Sequence, residues 1–170
     1  LSSADIAHIP LKGIRLLETL YPDPGTRHLS DIDVLIHGAD IPRADRALRA
    51  VGWRGESGGM WDRQQRYHHH HGYEPPPPLC ARLELHWKVA SGFEGPLSPD
   101  DLWTAAIRPH PPSLEFQFSP PTELVTLLLH IASHGYNASP KWLLDVRLFL
   151  ESQKEIPPQR SSQRTQRHSG

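Results

Sequence analysis

Cysteine and methionine are nearly absent, with one of each in 170 residues. A lone Cys80 cannot close an internal disulfide, so no cross-linked framework stands in for a hydrophobic core, and a reducing compartment is expected. Long apolar runs are lacking too. None approaches the roughly 18 to 20 residues of a membrane-spanning helix, and no secretory leader pattern opens the chain. Charge of one sign is not in excess either: 18 Lys and Arg face 19 Asp and Glu, so no overall field advertises a nucleic-acid or membrane partner. No internal repeat is visible. Together these absences point to a cytoplasmic protein of one domain, or one domain with a small appendage, long enough to bury its own core. The chain starts at Leu1 rather than methionine and turns apolar almost at once, from which a missing upstream segment is expected.

Proline and histidine are plentiful, at 18 and 12 residues. The prolines gather at Pro75 to Pro78, Pro109 to Pro112 and Pro120-Pro121, where they punctuate loops. The stretch from about Ser152 onward, rich in Gln, Arg and Ser, is expected to be disordered. His68 to His71 form a run that a strand would split between two faces, so a single metal site is not expected from the run alone. One of these rings is a candidate substrate contact. His130 and His134 stand four apart on a predicted helix, like half a metal site, but lack the Glu of a zinc-protease motif, and ordinary packing or polar contacts are expected of them.

The segment Leu29 to Ile36 carries the sharpest signal. It alternates as a strand, with Ile32, Val34 and Ile36 on one face and Asp31, Asp33 and Leu35 on the other. Two like charges side by side repel and gain nothing from burial, whereas a divalent cation would explain both. The alternative is the exposed edge of a half-buried strand. Upstream, Ile6 to Leu11 reads as a strand that runs into Lys12-Gly13, after which Ile14, Leu16, Leu17, Leu20 and Tyr21 recur at helical spacing. Glycine permits a tight turn and close approach of a ligand, and the following helix offers free N–H groups, so Lys12 and Gly13 form a candidate phosphate cradle. An ordinary strand–helix turn is the alternative. The guanidinium fork of Arg27 suits a phosphate or a carboxylate.

Asp40 and Pro42 open a helix expected to bury Ile41, Ala44, Leu48 and Val51, with Gly52 at its end. Met60 to Tyr67 is expected to be a strand leading into the histidine run. Ala81 to Val89 alternates strongly: Ala81, Leu83, Leu85, Trp87 and Val89 share one face, and Arg82, Glu84, His86 and Lys88 the other. Laid beside the acidic strand, it brings Glu84 next to Asp31 and Asp33, with His86 a candidate substrate contact on the same face. An amphipathic sheet face open to water is the alternative. Asp100 to Trp103 reads as a short helix and Leu114 to Phe118 as a short strand. Ser119 opens a helix burying Leu124, Leu127, Leu128 and Ile131. Ser139 opens a last helix burying Trp142, Leu143, Val146, Phe149 and Leu150, whose Asp145 and Arg147 are surface charges or a buried tie to the helix before.

The pieces LKG, YPDPGTRHLSDIDVLI, RLELHW and WLLDV, in that order between about Ile9 and Leu150, resemble the uncharacterised nucleotidyltransferase family. That family is similar to the polymerase-beta-like nucleotidyltransferases. The resemblance implies an α+β (α/β) fold: a mixed sheet flanked by helices in 1–118, a C-terminal helical segment over 119–151, and a tail over 152–170. It implies that Asp31, Asp33 and Glu84 hold two Mg2+ ions, or Mn2+ in their place, and that Lys12, Gly13 and Arg27 contact phosphates. The implied reaction moves a nucleoside monophosphate from a nucleoside triphosphate to a hydroxyl or phosphate on a small molecule, sugar or peptide. Two departures stand out. The superfamily places Gly-Ser on its turn, whereas Ile14-Arg15 follow Gly13 here, and the helices that precede LKG in family members are absent. Two other classes remain open: an inactive nucleotide-binding or antitoxin-like partner, and a histidine-rich metal-binding module.

Overall fold

The computed structural model describes residues 1–55, 61–90 and 97–154, side chains 62–64 and 136 excepted. Strand β1 (His8–Leu11) passes without a loop into helix α1 (Lys12–Leu20), and β2 (Asp31–Ile36) follows after a turn at Asp23. Helix α2 (Ile41–Ala50), the two-residue strand β3 (Arg54–Gly55), helix α3 (Trp61–Tyr67), β4 (His70–Glu74) and β5 (Arg82–His86) come next. The remainder is α4 (Pro99–Thr104), β6 (Ala106–Ile107), β7 (Gln117–Phe118), α5 (Pro120–His134) and α6 (Pro140–Lys154). Among the described residues, no helix is long and apolar enough to cross a membrane.

Five strands form one mixed sheet in the order β1-β2-β5-β4-β3, in which only β2 and β5 run parallel. The register pairs Asp33 with Glu84 and Leu11 with Asp33. Because side chains alternate along a strand, this register sends Asp33, Leu35, Glu84 and His86 to one face and Val34, Leu83 and Leu85 to the other. Both faces are covered. On one, Val34, Ile36, Tyr73, Leu83, Leu85 and Trp87 pack against Ile41, Ala44 and Leu48 of α2. On the opposite face Leu35 joins Ile9, Leu11, Leu102 and Phe118. A third cluster of Leu16, Leu127 and Phe149 clamps α1 between α5 and α6. The polar side chains therefore emerge at the edge of a packed layer, where α5 and α6 lean over the sheet.

Several expectations require correction. Trp61–Tyr67 is helical rather than a strand; between its aromatic ends lie only Asp, Gln and Arg, which never alternate with apolar residues and of which Gln and Arg favour helix. Met60, expected at the start of that segment, lies outside the described residues. Val51 is 66% exposed, because the helix ends at Ala50 and the chain turns at Gly52, whose φ of +93° lets it reverse. Leu128, Leu143 and Leu150 are also exposed, since α5 and α6 bury only the narrow stripe that meets α1. The buried face of α5 contains Glu123 and Thr126 instead. Of Leu114 to Phe118 only Gln117–Phe118 pairs in a ladder, with Ala106–Ile107, while Glu115 bridges His8.

Candidate active site

The β1–α1 junction is strained by design of its sequence. Lys12 follows the last strand residue directly and takes φ +48°, a left-handed conformation costly for a side chain with a Cβ, on the order of 1 kcal/mol or more. The conformation swings its ammonium back over the sheet, and Nζ donates to Asp33 Oδ1 at 2.9 Å. Gly13 comes next and is buried. A Cβ there would lie 2.9 Å from Arg27 Nη1 and 3.1 Å from Leu29 Cδ1, so the missing side chain makes room for the guanidinium of Arg27.

Arg27 is itself engaged. Its Nε and Nη2 donate to Asp145 Oδ1 and Oδ2 at 2.9 and 2.7 Å, and Tyr21 Oη donates to the same Oδ1 at 2.7 Å. Asp145 thus ties α6 to the loop before β2 rather than to the preceding helix, with Arg27 8% and Asp145 2% exposed. Burial first, then the Asp145 carboxylate, pushes the Tyr21 hydroxyl up to about 12. The hydrogen bonds to Asp145 raise the Arg27 guanidinium further despite its burial. The Arg27 guanidinium therefore stays charged, and the Tyr21 hydroxyl keeps its proton as a neutral donor.

Asp33 sits on the floor with 5% of its surface exposed. Burial alone would raise its pKa, but the hydrogen bond from His86 and the charge of Lys12 outweigh it and hold the carboxyl well below the usual range. His86 Nε2 lies 2.7 Å from Asp33 Oδ1 and 3.6 Å from Glu84 Oε2, and the ring is wholly buried. Glu84, half-buried beside Asp33, is lowered by the His86 hydrogen bond against the opposing effect of its burial. His70 Nε2 approaches Glu84 Oε2 at 3.8 Å, and burial lowers His70 while pushing His69 down to about 4. The histidine run does split: His69 and His70 line the cleft, while His71 packs against Trp61 and Tyr73. Among the described residues two groups, Asp33–Glu84–His86 and His69–His70–His86, each bring three potential ligand atoms within 4.8 Å of one another.

Asp31 opens β2 on the same face and lines the same cleft, its Oδ1 accepting from Ser30 Oγ at 3.1 Å, but it stands outside both groups. The cleft has a volume of about 340 Å³. Its far wall comes from α5 and α6: the rings of His130, His134 and Trp142 meet edge to face at centroid distances of 4.4 to 4.7 Å, with Lys141 beside them. Burial drives His130 down to about 3, so this wall is aromatic and neutral at that ring. From the sequence, packing or polar contacts are expected of His130 and His134 and a core position of Trp142, and no cleft wall. The four-residue spacing of His130 and His134 was the available signal, since it places both on one helix face.

An ionised, nearly buried carboxylate, a second carboxylate across the ladder and a histidine nitrogen between them make a donor set that fits a divalent cation. The model of the uncharacterised nucleotidyltransferase family matches residues 1–168, and the chain belongs to that family. No curated protein and no solved structure matches it.

Proposed function

We propose that this family member transfers a nucleoside monophosphate from a nucleoside triphosphate to a hydroxyl or phosphate acceptor and releases pyrophosphate. The pairing of Asp33 with Glu84 on the cleft face of parallel strands β2 and β5 carries the reading. Asp31, Asp33 and Glu84 would hold two Mg2+ ions, or Mn2+ in their place. Bound there, divalent ions supply charge neutralisation on the triphosphate and lower the pKa of the attacking oxygen. The acceptor oxygen forms a bond to the α-phosphorus as the bond between the α-phosphorus and the bridging oxygen to the β-phosphate breaks. Pyrophosphate carries away the electron pair, and the acceptor proton passes to Glu84 or to solvent.

The chain's own residues do the positioning. Lys12, Gly13 and Arg27 line the cleft, so Lys12 and the first free N–H groups of α1 would meet the triphosphate, with Arg27, held in place by Asp145, beside them. The aromatic wall of α5 and α6 closes the other side. One observation favours the inactive-partner reading: Lys12 already neutralises Asp33, as an ammonium would in a nucleotide-binding fold that has no need of a metal. Pyrophosphate release from each nucleoside triphosphate, against a panel of small-molecule, sugar and peptide acceptors, separates the two. Transfer should fall by about three to four decades in Asp33→Asn, roughly 4 to 5.5 kcal/mol of barrier, with folding intact. Undiminished turnover in that variant rejects the mechanism.

A further inference from the structure

We infer that His86 is a metal ligand, and that the ion held by Asp33, Glu84 and His86 Nε2 is a first-row transition cation such as Mn2+, Co2+ or Zn2+ rather than Mg2+. This rests on the reading of Asp33 and Glu84 as carboxylates that hold a divalent cation.

Three observations carry it. The donor atoms converge: Asp33 Oδ1 is 2.7 Å and Glu84 Oε2 3.6 Å from His86 Nε2, bracketing the roughly 3 Å that separates neighbouring ligands of one ion with bonds of about 2.1 Å. The imidazole is oriented as metal-ligating rings are. Its Nδ1 faces the Lys88 carbonyl oxygen at 3.3 Å, the kind of outer partner that orients a ligating ring, so Nε2 can give up the proton it donates to Asp33 when an ion takes that proton's place. Finally, the ring is completely buried and is crowded by His69 and His70 at centroid distances of 5.6 and 5.0 Å, so it cannot swing away from the site. A nitrogen locked within ligand reach of two carboxylates matches the ligand preference of Mn2+, Co2+ and Zn2+, which imidazole suits, better than that of Mg2+, which takes oxygens. Three protein ligands would leave coordination positions open towards the cleft, the arrangement of catalytic rather than structural sites.

The test uses the purified full chain without nucleotide. Mn2+ is added and its electron spin echo spectrum examined for modulation from a directly bound imidazole nitrogen, with Co2+ visible absorption as a second probe. The expected result is one equivalent of Mn2+ with nitrogen modulation that disappears in His86→Gln and persists in His70→Gln. Because the spectrum of the unaltered chain already decides whether nitrogen is bound, a His86→Gln variant that fails to fold does not shield the inference. Mn2+ bound without nitrogen modulation overturns it and leaves the nucleotidyl-transfer reading standing on the carboxylates. Nitrogen-bound Mn2+ without pyrophosphate release from any nucleoside triphosphate supports the ligand assignment and counts against the reaction instead. Modulation that survives in a folded His86→Gln also overturns the assignment, since another ring would then be the ligand.

Discussion

Glu123 allows a stability prediction that is independent of the cleft chemistry. It stands in the first turn of α5 with 4% of its surface exposed, and its Oε1 has no hydrogen-bond partner among the described residues. Burial pushes its carboxyl from 4.5 up to about 7, against an opposing pull from the Arg15 cation across the same cavity. The unfolded chain therefore releases this proton near the ordinary value, and the folded chain keeps it to near neutrality. Between those two values the unfolded state binds fewer protons, so stability falls as pH rises. The contribution is fully present below about pH 4.5 and lost by about pH 7, and the difference amounts to about 3 kcal/mol. Three rings act in the opposite direction: burial holds His130, His69 and His70 neutral in the fold, the first two down to about 3 and about 4, so they favour stability as pH rises towards their ordinary value. The wild-type profile mixes both trends. The difference between wild type and Glu123→Gln isolates the carboxyl, because the amide keeps the shape and cannot ionise. Urea unfolding at a series of pH values should find the two proteins close near pH 5, with the variant gaining up to about 3 kcal/mol by pH 8. Parallel profiles across that range would show that Glu123 is solvated or partnered in solution, and the reasoning would fail.

Two further outcomes follow from the cleft's cations. Asp145→Ala strips Arg27 and Tyr21 of their shared acceptor and leaves a buried guanidinium uncompensated, which should cost about 3 to 5 kcal/mol in chemical denaturation; Tyr21→Phe should cost about 1 kcal/mol. If Asp145→Ala unfolds at the wild-type midpoint, the pair does not anchor α6. Lys12→Met removes the ammonium that shares Asp33 Oδ1 with His86 and should tighten Mn2+ binding several-fold in the absence of nucleotide while weakening nucleoside triphosphate binding. Titration calorimetry with each ligand reads both effects, and unchanged Mn2+ affinity would mean that Lys12 does not compete for the cation position.

The strands were legible where alternation was strict. Asp31–Ile36 and Arg82–His86 emerge with the expected faces: Val34, Ile36, Leu83 and Leu85 pack on the α2 side, while on the other side Asp31, Asp33 and Glu84 line the cleft and Leu35 joins the cluster around Ile9 and Leu11. Helix starts at Pro42, Pro120 and Pro140 were equally readable, since proline is tolerated in the first turn, whereas the helix expected from Asp100 begins at Pro99, behind a Ser98–Asp101 capping box that the expectation does not use. Helical burial was harder. Leucines on α5 and α6 follow a helical period, but which of them face inward depends on how many neighbours cover each helix, and a sequence does not state that number. Leu127 found α1 and Phe149, while Leu128 and Leu143 found solvent. The two-residue β3 and the helix at Trp61–Tyr67 lacked any periodic pattern long enough to read.

The site divides the same way, between what strand periodicity dictates and what only folding brings together. Asp33 and Glu84 could be placed on one face by counting in twos, and their adjacency needed only the guess that their strands were neighbours. Nothing local to Lys12 indicates that it adopts a left-handed backbone and reaches across to Asp33, because that contact depends on β1 lying antiparallel beside β2 in a register that sets Leu11 opposite Asp33. Arg27 and Asp145 are 118 positions apart and meet only because α6 crosses back over the loop before β2. These long-range contacts are all between opposite charges, and in each the acidic partner is nearly buried. A carboxylate taken from water must find a cation or a proton, so Asp33 found Lys12 and His86, Asp145 found Arg27, and Glu123, beyond the reach of a direct ion pair with Arg15, keeps its proton to near neutrality. Asp33 and Asp145 both line the cleft, but only Asp33 of the two faces a second carboxylate across the ladder, Glu84, with the buried His86 nitrogen 2.7 Å away. On the proposed reading a cation from solution takes the place of Lys12 as the partner of Asp33, whereas Arg27 is locked by two hydrogen bonds to Asp145.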